Sequence, residues 1–453
     1  MWIFFITKIR LSGDTNFTFQ MGQNGPLFGL ILQGKIKSII WRLYYFLLIK
    51  IVPMRYKRLS KRLRRKERIV ICFLIQLASS WKYDYLYRLF SDDERFEPII
   101  VICPIANYEE EMMFDEMQAA FNFFIARNYR VISSWDISSN TWIDVKDTLR
   151  PDIVFFSNPW AELSRKEYYI LNFLDTLTCY APYGFKSSHL YEAIFNKPFQ
   201  NLLWRIFYES VIHKSMAEKH GRNKGVNGIV TGYPGMDNLL DKNYSPVDVW
   251  TINARKLKRI IWAPHHSIFG KDDSKVGFST FTRYSTLMVE IANQYKDEVQ
   301  FSFKPHPLLK SKLYKHPEWG KEKTDRYYDL WAEMSNTQID EGNYIDLFMT
   351  SDAIINDGES FMVEYLYTNK PSLFLIADEN VSDRLNIFGE KVLRHLYQAK
   401  SDKDIHEFIR DIVIDGNDYL KESRISFFNE YVRPPNNRLA SENIYWFIKE
   451  TIT

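Results

Sequence analysis

Across residues 69–242, short apolar runs rich in β-branched residues alternate with segments whose apolar positions recur at helical spacing. The strand-like runs fall at 69–75, 99–103, 130–133, 153–156 and 229–231. Between the second and third, Met113, Met117, Ala120, Phe121 and Phe124 share one helix face, and Asn107 with Glu110 three residues on predicts its cap. Strands alternating with helices imply parallel βαβ units and a sheet covered on both faces. After Gly232-Tyr-Pro-Gly235 and a polar connection at 243–249, a second series follows at 260–263, 299–304, 354–356 and 372–375. The pattern predicts an α/β protein of two doubly wound, Rossmann-like halves, 69–242 and 243–438, facing a central cleft. They are joined near 236–256, and a last helix spans 439–453.

Residues 1–68 do not follow this rhythm. The apolar run 1–7 is too short for a signal-peptide core, and Lys8 and Arg10 follow it rather than precede it. Ile39, Ile40, Leu43, Phe46 and Leu47 recur at helical spacing, with Lys35, Arg42 and Lys50 interrupting the apolar surface, and Pro53 is expected to stop or kink the helix. Residues 55–68 then carry nine basic residues and one acid. In all, 1–68 holds fifteen Lys and Arg against Asp14 and Glu67, a local charge of +13, while the rest of the chain carries −10. An apolar aromatic segment joined to a basic cluster suits the surface of an anionic membrane. A solvated basic helix packed on its own domain is the plainer alternative, and nucleic acid is not expected as a partner. No run approaches the ~20 apolar residues needed to span a bilayer. The expected place is therefore cytoplasmic, peripheral on the inner face of the cell membrane.

The 453 residues are 46% hydrophobic and 25% charged, the balance of a folded globular chain. Cys72, Cys103 and Cys179 lack the close spacing of a zinc or redox motif and read as buried reduced thiols.

Ligands of doubly wound sheets bind beyond the carboxyl ends of the strands, and three motifs in the second half lie there. In 259–270, Pro264 ends a strand and His265, His266 and Ser267 follow in a loop. Their rings can donate to phosphate oxygens or take a proton from a hydroxyl, against the plain alternative of exposed loop histidines. In 299–309, prolines on both sides of His306 stiffen the loop, so that Lys304 and His306 hold fixed positions for anionic oxygens. In 344–375, a strand, the turn Asp357-Gly358-Glu359 and a helix beginning at Ser360 would aim helix N–H groups at an anion. Glu364 lies one turn beyond Ser360 on the same face, where it can accept hydrogen bonds from ribose hydroxyls.

Ala263-Pro264, the Lys-Pro-His-Pro run 304–307, and the stretch 346–371 with Asp346-Leu-Phe, Ser351-Asp-Ala-Ile-Ile-Asn-Asp-Gly-Glu-Ser-Phe-Met-Val-Glu-Tyr365 and Lys370-Pro371 resemble the CDP-glycerol glycerophosphotransferases of teichoic-acid and capsule synthesis. Thr231-Gly-Tyr-Pro and Asp237 resemble that family's Gly-x-Pro-Arg-x-Asp turn. The resemblance spans roughly 229–376. It implies a GT-B arrangement and peripheral membrane association, with His306, Ser360 and Glu364 binding the diphosphate and ribose of CDP. Asp357-Gly-Glu-Ser360 stands where the family has Asp-Tyr-Ser-Ser, and Gly235 where it has arginine. The family's Trp-His-Gly-Thr stretch has no counterpart, the nearest being 179–185.

The resulting expectation is a transferase that moves glycerol phosphate, or a related polyol phosphate, from a CDP-activated donor to a polysaccharide or lipid-linked acceptor. Lys304, Ser267, Asp357, Gly358, Glu359, Ser360 and Glu364 would bind the substrate. His306 would supply charge stabilisation and His265 or His266 the base, with no metal and no cofactor. A glycosyltransferase using a nucleotide sugar, and a non-catalytic nucleotide-binding subunit of a polysaccharide assembly, are the alternatives.

Overall fold

The computed structural model describes residues 26–251, 257–268 and 277–452. The run 1–7 and the end of the 259–270 motif lie outside them. The chain divides at Lys50, and residues from Ile51 onward form one compact unit holding both large sheets.

The first sheet is built from β1 (Ile69–Ile75), β2 (Phe96–Ile102) and β3 (Val131–Ser133). A small antiparallel ribbon, β4 (Trp135–Asp136) with β5 (Thr141–Trp142), interrupts it in sequence. The sheet resumes with β6 (Ile153–Phe156), β7 (Leu177–Tyr180), β8 (Arg205–Tyr208) and β9 (Gly228–Val230). Its order is β3-β2-β1-β6-β7-β8-β9, all parallel. In β1 every side chain but that of Val70 is buried, as a strand covered on both faces requires. Phe73 is in register with Ile100 on one side and Phe155 on the other.

The second sheet comprises β10 (Lys258–Ala263), β11 (Val299–Phe303), β12 (Thr337–Ile339), β13 (Ala353–Asn356), β14 (Ser372–Leu375) and β15 (Tyr397–Ala399). The order β12-β11-β10-β13-β14-β15 is again parallel, with the chain reversing its direction of travel between β10 and β13. Its core is aromatic: the Trp262 ring lies 5.0 Å from Phe303 and 5.3 Å from Trp331, all buried. The fold class expected from the pattern is the one observed.

Several local expectations fail. β7, β8, β12 and β15 were not foreseen, because LTCY, RIFY, TQI and YQA are three or four residues long and broken by polar side chains. Asn107 does not cap the helix between β2 and β3, which spans Glu110–Ile125 with Glu109 at its cap position. Pro53 does not end its helix, which is assigned from Pro26 to Leu63. Upstream of Lys50, Ile40, Leu43, Phe46 and Leu47 are exposed. Beyond it, Val52, Tyr56 and Leu63 are buried, and the Tyr56 hydroxyl bonds Thr178 Oγ1 at 2.9 Å and the Leu202 carbonyl at 2.8 Å. The basic residues between them face solvent, so this part of the leader is a helix docked on the first half with its charge outward.

The last helix, Ala440–Ile452, packs on the first half, against the helix Asp84–Ser91. Asp237 accepts from the amides of Ala440 at 2.8 Å and Ser441 at 2.9 Å, capping the first turn with a buried carboxyl group. Gly232, at φ +89°, lets Pro434 approach so closely that a Cβ there would lie 2.7 Å from the proline ring. The turn Thr231–Asp237 is thus the clasp that receives the returning chain.

Candidate active site

The second half presents its strand ends at the point where the chain order reverses, which is where doubly wound sheets bind ligands. His265 and His266 follow β10, and His306 follows β11. Parallel pairing of the two strands brings the three rings together: centroids are 4.3 Å apart for His265–His266, 4.2 Å for His266–His306 and 5.5 Å for His265–His306. Their hydrogen bonds assign a common tautomer. His306 Nδ1 accepts from the Leu308 amide at 3.1 Å, and His266 Nδ1 lies 2.9 Å from the Lys312 ammonium. Ser267 Oγ accepts from the amides of Phe278 and Ser279, so its own hydrogen points to His265 Nδ1, 2.9 Å away. Each ring therefore carries its proton on Nε2. Burial, then the neighbouring rings and Lys312, push His306 down to about 3 and hold His265 well below the usual imidazole range. The cluster is a set of neutral N–H donors. With each Nδ1 lone pair engaged, neither His265 nor His266 is placed as the base that the sequence suggested.

Other expected contacts have structural employment. Asp357 is fully buried and accepts from the His265 amide at 2.5 Å, the Thr280 amide at 2.5 Å and Thr280 Oγ1 at 2.8 Å. It ties three loops together, with both carboxylate oxygens engaged. Ser267 is committed in the same way. Lys304 donates to the carbonyls of Asp340 at 3.1 Å and Gly342 at 2.8 Å, so its ammonium clamps the loop after β12. Gly358 packs by His265, where a Cβ would lie 3.7 Å from the ring, an ordinary contact.

Glu359, Ser360 and Glu364 instead face the first half. The helix Phe361–Glu364 continues as a 3-10 turn through Thr368, shorter than the regular helix expected, and Ser360 makes no side-chain cap. Opposite stands the loop after β7. A Cβ on Gly184 would lie 3.3 Å from Ser360 Oγ and 3.9 Å from Glu364 Oε1, which places the two side chains next to each other as their spacing predicts. The Glu364 carboxyl is pushed up by burial, against the pull of Lys82 first and the hydroxyls of Tyr344 and Tyr233 after it. Its Oε2 has no hydrogen-bond partner. Burial likewise raises Glu359, opposed by Lys186, Ser188 and His189.

The same loop is strapped to the second half through main-chain atoms. The Asn386 amide donates to the Ser187 carbonyl at 2.7 Å and the His189 amide to the Arg384 carbonyl at 2.9 Å, while Ser188 and Leu385 form an antiparallel bridge. Ser187 Oγ donates to the Glu359 carbonyl at 3.1 Å, and the Phe185 ring stacks on Phe388 at 5.9 Å. Lys82, Lys186 and Tyr344 were not singled out from the sequence. Lys82 follows β1 in Ser80-Trp-Lys-Tyr-Asp84, and a lysine among aromatics just past a strand end was the available signal.

Residues 209–450 match the family described as CDP-Glycerol:Poly(glycerophosphate) glycerophosphotransferase, which is more than half the chain. The chain belongs to this family. It is a CDP-glycerol glycerophosphotransferase-like transferase. Among solved structures, the wall teichoic acid polymerase TagF is similar at 15% identity and TM-score 0.53, over 95% of this chain and 99% of that one. A UDP-N-acetylglucosamine 2-epimerase is similar at 14% identity and TM-score 0.53, over 85% and 96% of the two chains. MnaA of S. aureus, solved with UDP, is similar at 16% identity and TM-score 0.51, over 84% and 96%. At these identities the likeness concerns the fold, which is the GT-B arrangement. No curated protein sequence matches the chain.

Within this glycerophosphotransferase, the position nearest the family's missing histidine stretch is the strapped loop itself. The two histidines closest to it are engaged: buried His213 meets Ser210 Oγ at 2.8 Å and the Lys186 carbonyl at 3.1 Å, and His189 Nδ1 meets the Arg384 carbonyl at 3.0 Å. Glu359 meets the first half through its main-chain carbonyl, which accepts from Ser187 Oγ.

Proposed function

We propose that this glycerophosphotransferase binds CDP-glycerol at the ends of β10, β11 and β13, with Glu364 and Ser360 on the ribose and adjacent phosphate and the His265–His266–His306 cluster on the diphosphate. The observation that carries this reading is the three neutral imidazoles sharing one Nε2–H tautomer, together with a buried carboxylate oxygen of Glu364 that has no hydrogen-bond partner. Neutral N–H donors in a site shielded from water stabilise charge where it develops, without reorganising. The acceptor hydroxyl oxygen bonds the phosphorus that bears glycerol, the bond from that phosphorus to CMP breaks, and the hydroxyl proton is released. Transfer of this kind rests on positioning and charge stabilisation. We propose that the histidines and Lys312 provide both.

The acceptor in this reading is a teichoic-acid-like polymer. The leader attaches the enzyme to an anionic membrane through the exposed bases of 55–68; among the described residues no helix is long and apolar enough to cross one.

The donor site is tested by calorimetric titration of CDP. Ser360→Ala and Glu364→Ala should each weaken binding by roughly 1–3 kcal/mol, the scale of a lost charge-assisted hydrogen bond. Wild-type affinity in both variants would remove the nucleotide from this site.

A further inference from the structure

The first half contains a cavity that the donor site does not use. It lies beyond the carboxyl ends of β6, β7 and β8, lined among others by Trp160, Tyr180, Lys186, Gln200, Tyr208 and Glu209. That is the ligand-binding end of a doubly wound sheet. It encloses about 370 Å³ of unfilled space, part of it open to solvent, and it is narrow throughout.

Its polar lining is unsatisfied. Glu209 is 2% exposed, and neither carboxylate oxygen has a hydrogen-bond partner. Gln200 Oε1 and the Tyr180 hydroxyl, both buried, are also unpartnered. Buried polar groups are nearly always paired, and an unpaired carboxylate is the most costly of them. Glu209 stands where β8 hands over to the helix Val211–His220, whose cap is Ser210, so strand and helix both fix its backbone.

We propose that this cavity is the subsite for the acceptor end, and that it takes a neutral hydroxymethyl terminus of a polyol through Glu209 and Gln200. The inference rests on the transferase reading above. Three of the four unpartnered oxygens can only accept hydrogen bonds, so the complementary ligand is rich in donors. Alcohols supply them, whereas a phosphate would place acceptor oxygens and negative charge against Glu209. The narrow bore admits one hydroxylated arm and not a sugar ring. Trp160 and Tyr208 offer apolar surface to its carbon atoms. The loop that carries Pro182 and Lys186 on the cavity side presents Gly184 to Ser360 on the other, so the subsite and the donor site share a wall. The enzyme would thereby recognise chains that end in a free alcohol and refuse those that end in phosphate.

The test uses the full chain with glycerol and glycerol 3-phosphate as probes in saturation-transfer NMR, alongside calorimetric titration of CDP. Glycerol should bind and glycerol 3-phosphate should not compete with it. Glu209→Gln should weaken glycerol at least about tenfold, and Tyr180→Phe, which keeps the ring, about threefold or more, while CDP affinity stays at the wild-type value. Competition by glycerol 3-phosphate at equal strength would overturn the proposal. So would full glycerol affinity in both variants, which would mean that the cavity holds only buried water. Loss of CDP binding in the wild type would overturn the donor reading instead, leaving the glycerol measurements to stand by themselves.

Discussion

His306 sets a measurable limit on the acid stability of the second half. In the folded protein its ring resists protonation down to about 3, chiefly because burial removes it from water and because His266 and Lys312 face it. His265 is depressed for the same reasons. An unfolded chain protonates the ring at the ordinary value of about 6.5. Between those two values the unfolded state binds the proton and the folded state does not, so stability falls as pH falls below 6.5, and none is lost above it. At about 1.4 kcal/mol per pH unit, His306 alone costs about 2 kcal/mol by pH 5, an upper figure because the ring is only half-buried. For the compact unit from Ile51 onward, about 400 residues, that is a fall of roughly 2–3 °C in Tm. Thermal unfolding of wild type and His306→Gln at pH 7.5 and pH 5 measures it, with the wild type losing more on acidification than the variant by that amount. Equal losses would refute the claim that this ring is held neutral by its surroundings.

On catalysis, His306→Ala should lower turnover of CDP-glycerol by at least about a hundredfold, the scale of a lost transition-state donor, and turnover should persist in a chelator such as EDTA. Full dependence on added divalent cation would sink the metal-free reading. For the leader, deleting it would also remove Tyr56 from its bonds to the first half, so neutralising the exposed bases is the cleaner perturbation. Changing Lys57, Arg58, Lys61 and Arg62 together to Gln should weaken co-sedimentation with anionic vesicles by about 1 kcal/mol per residue, and high salt should weaken the wild type likewise. Undiminished sedimentation would show that these bases are not the anchor.

Much of the fold was legible because buried parallel strands must be apolar on both faces: 69–75 and 153–156 were read to the residue. Of the strands that composition does not mark, β7 and β8 lie inside the first sheet and β12 and β15 at the two edges of the second; in each, pairing with a neighbour and not local composition makes the strand. For the site, histidines at two strand ends could be read as neighbours, since parallel adjacent strands deliver their carboxyl ends to one place. The employment of Asp357, Ser267 and Lys304 could not be read. Their partners include backbone amides and carbonyls of loops 11 to 92 residues away, and backbone atoms are the same in every sequence. The strap around Ser187 is hidden for the same reason.

The clasp between Asp237 and the helix Ala440–Ile452 also orders events during synthesis. The first half has all its strands once residue 230 is made, yet a helix that packs on it comes last. At about 5–20 residues per second, the ribosome takes roughly 10–45 seconds to make the intervening chain. Throughout that interval the face made by Phe90, Phe96 and Asp93, which Tyr445 and Lys449 later cover, waits open. A truncation near the carboxyl terminus, remote in sequence from that face, would leave it open for good, and the nascent first half would then be the part of the molecule most in need of a chaperone.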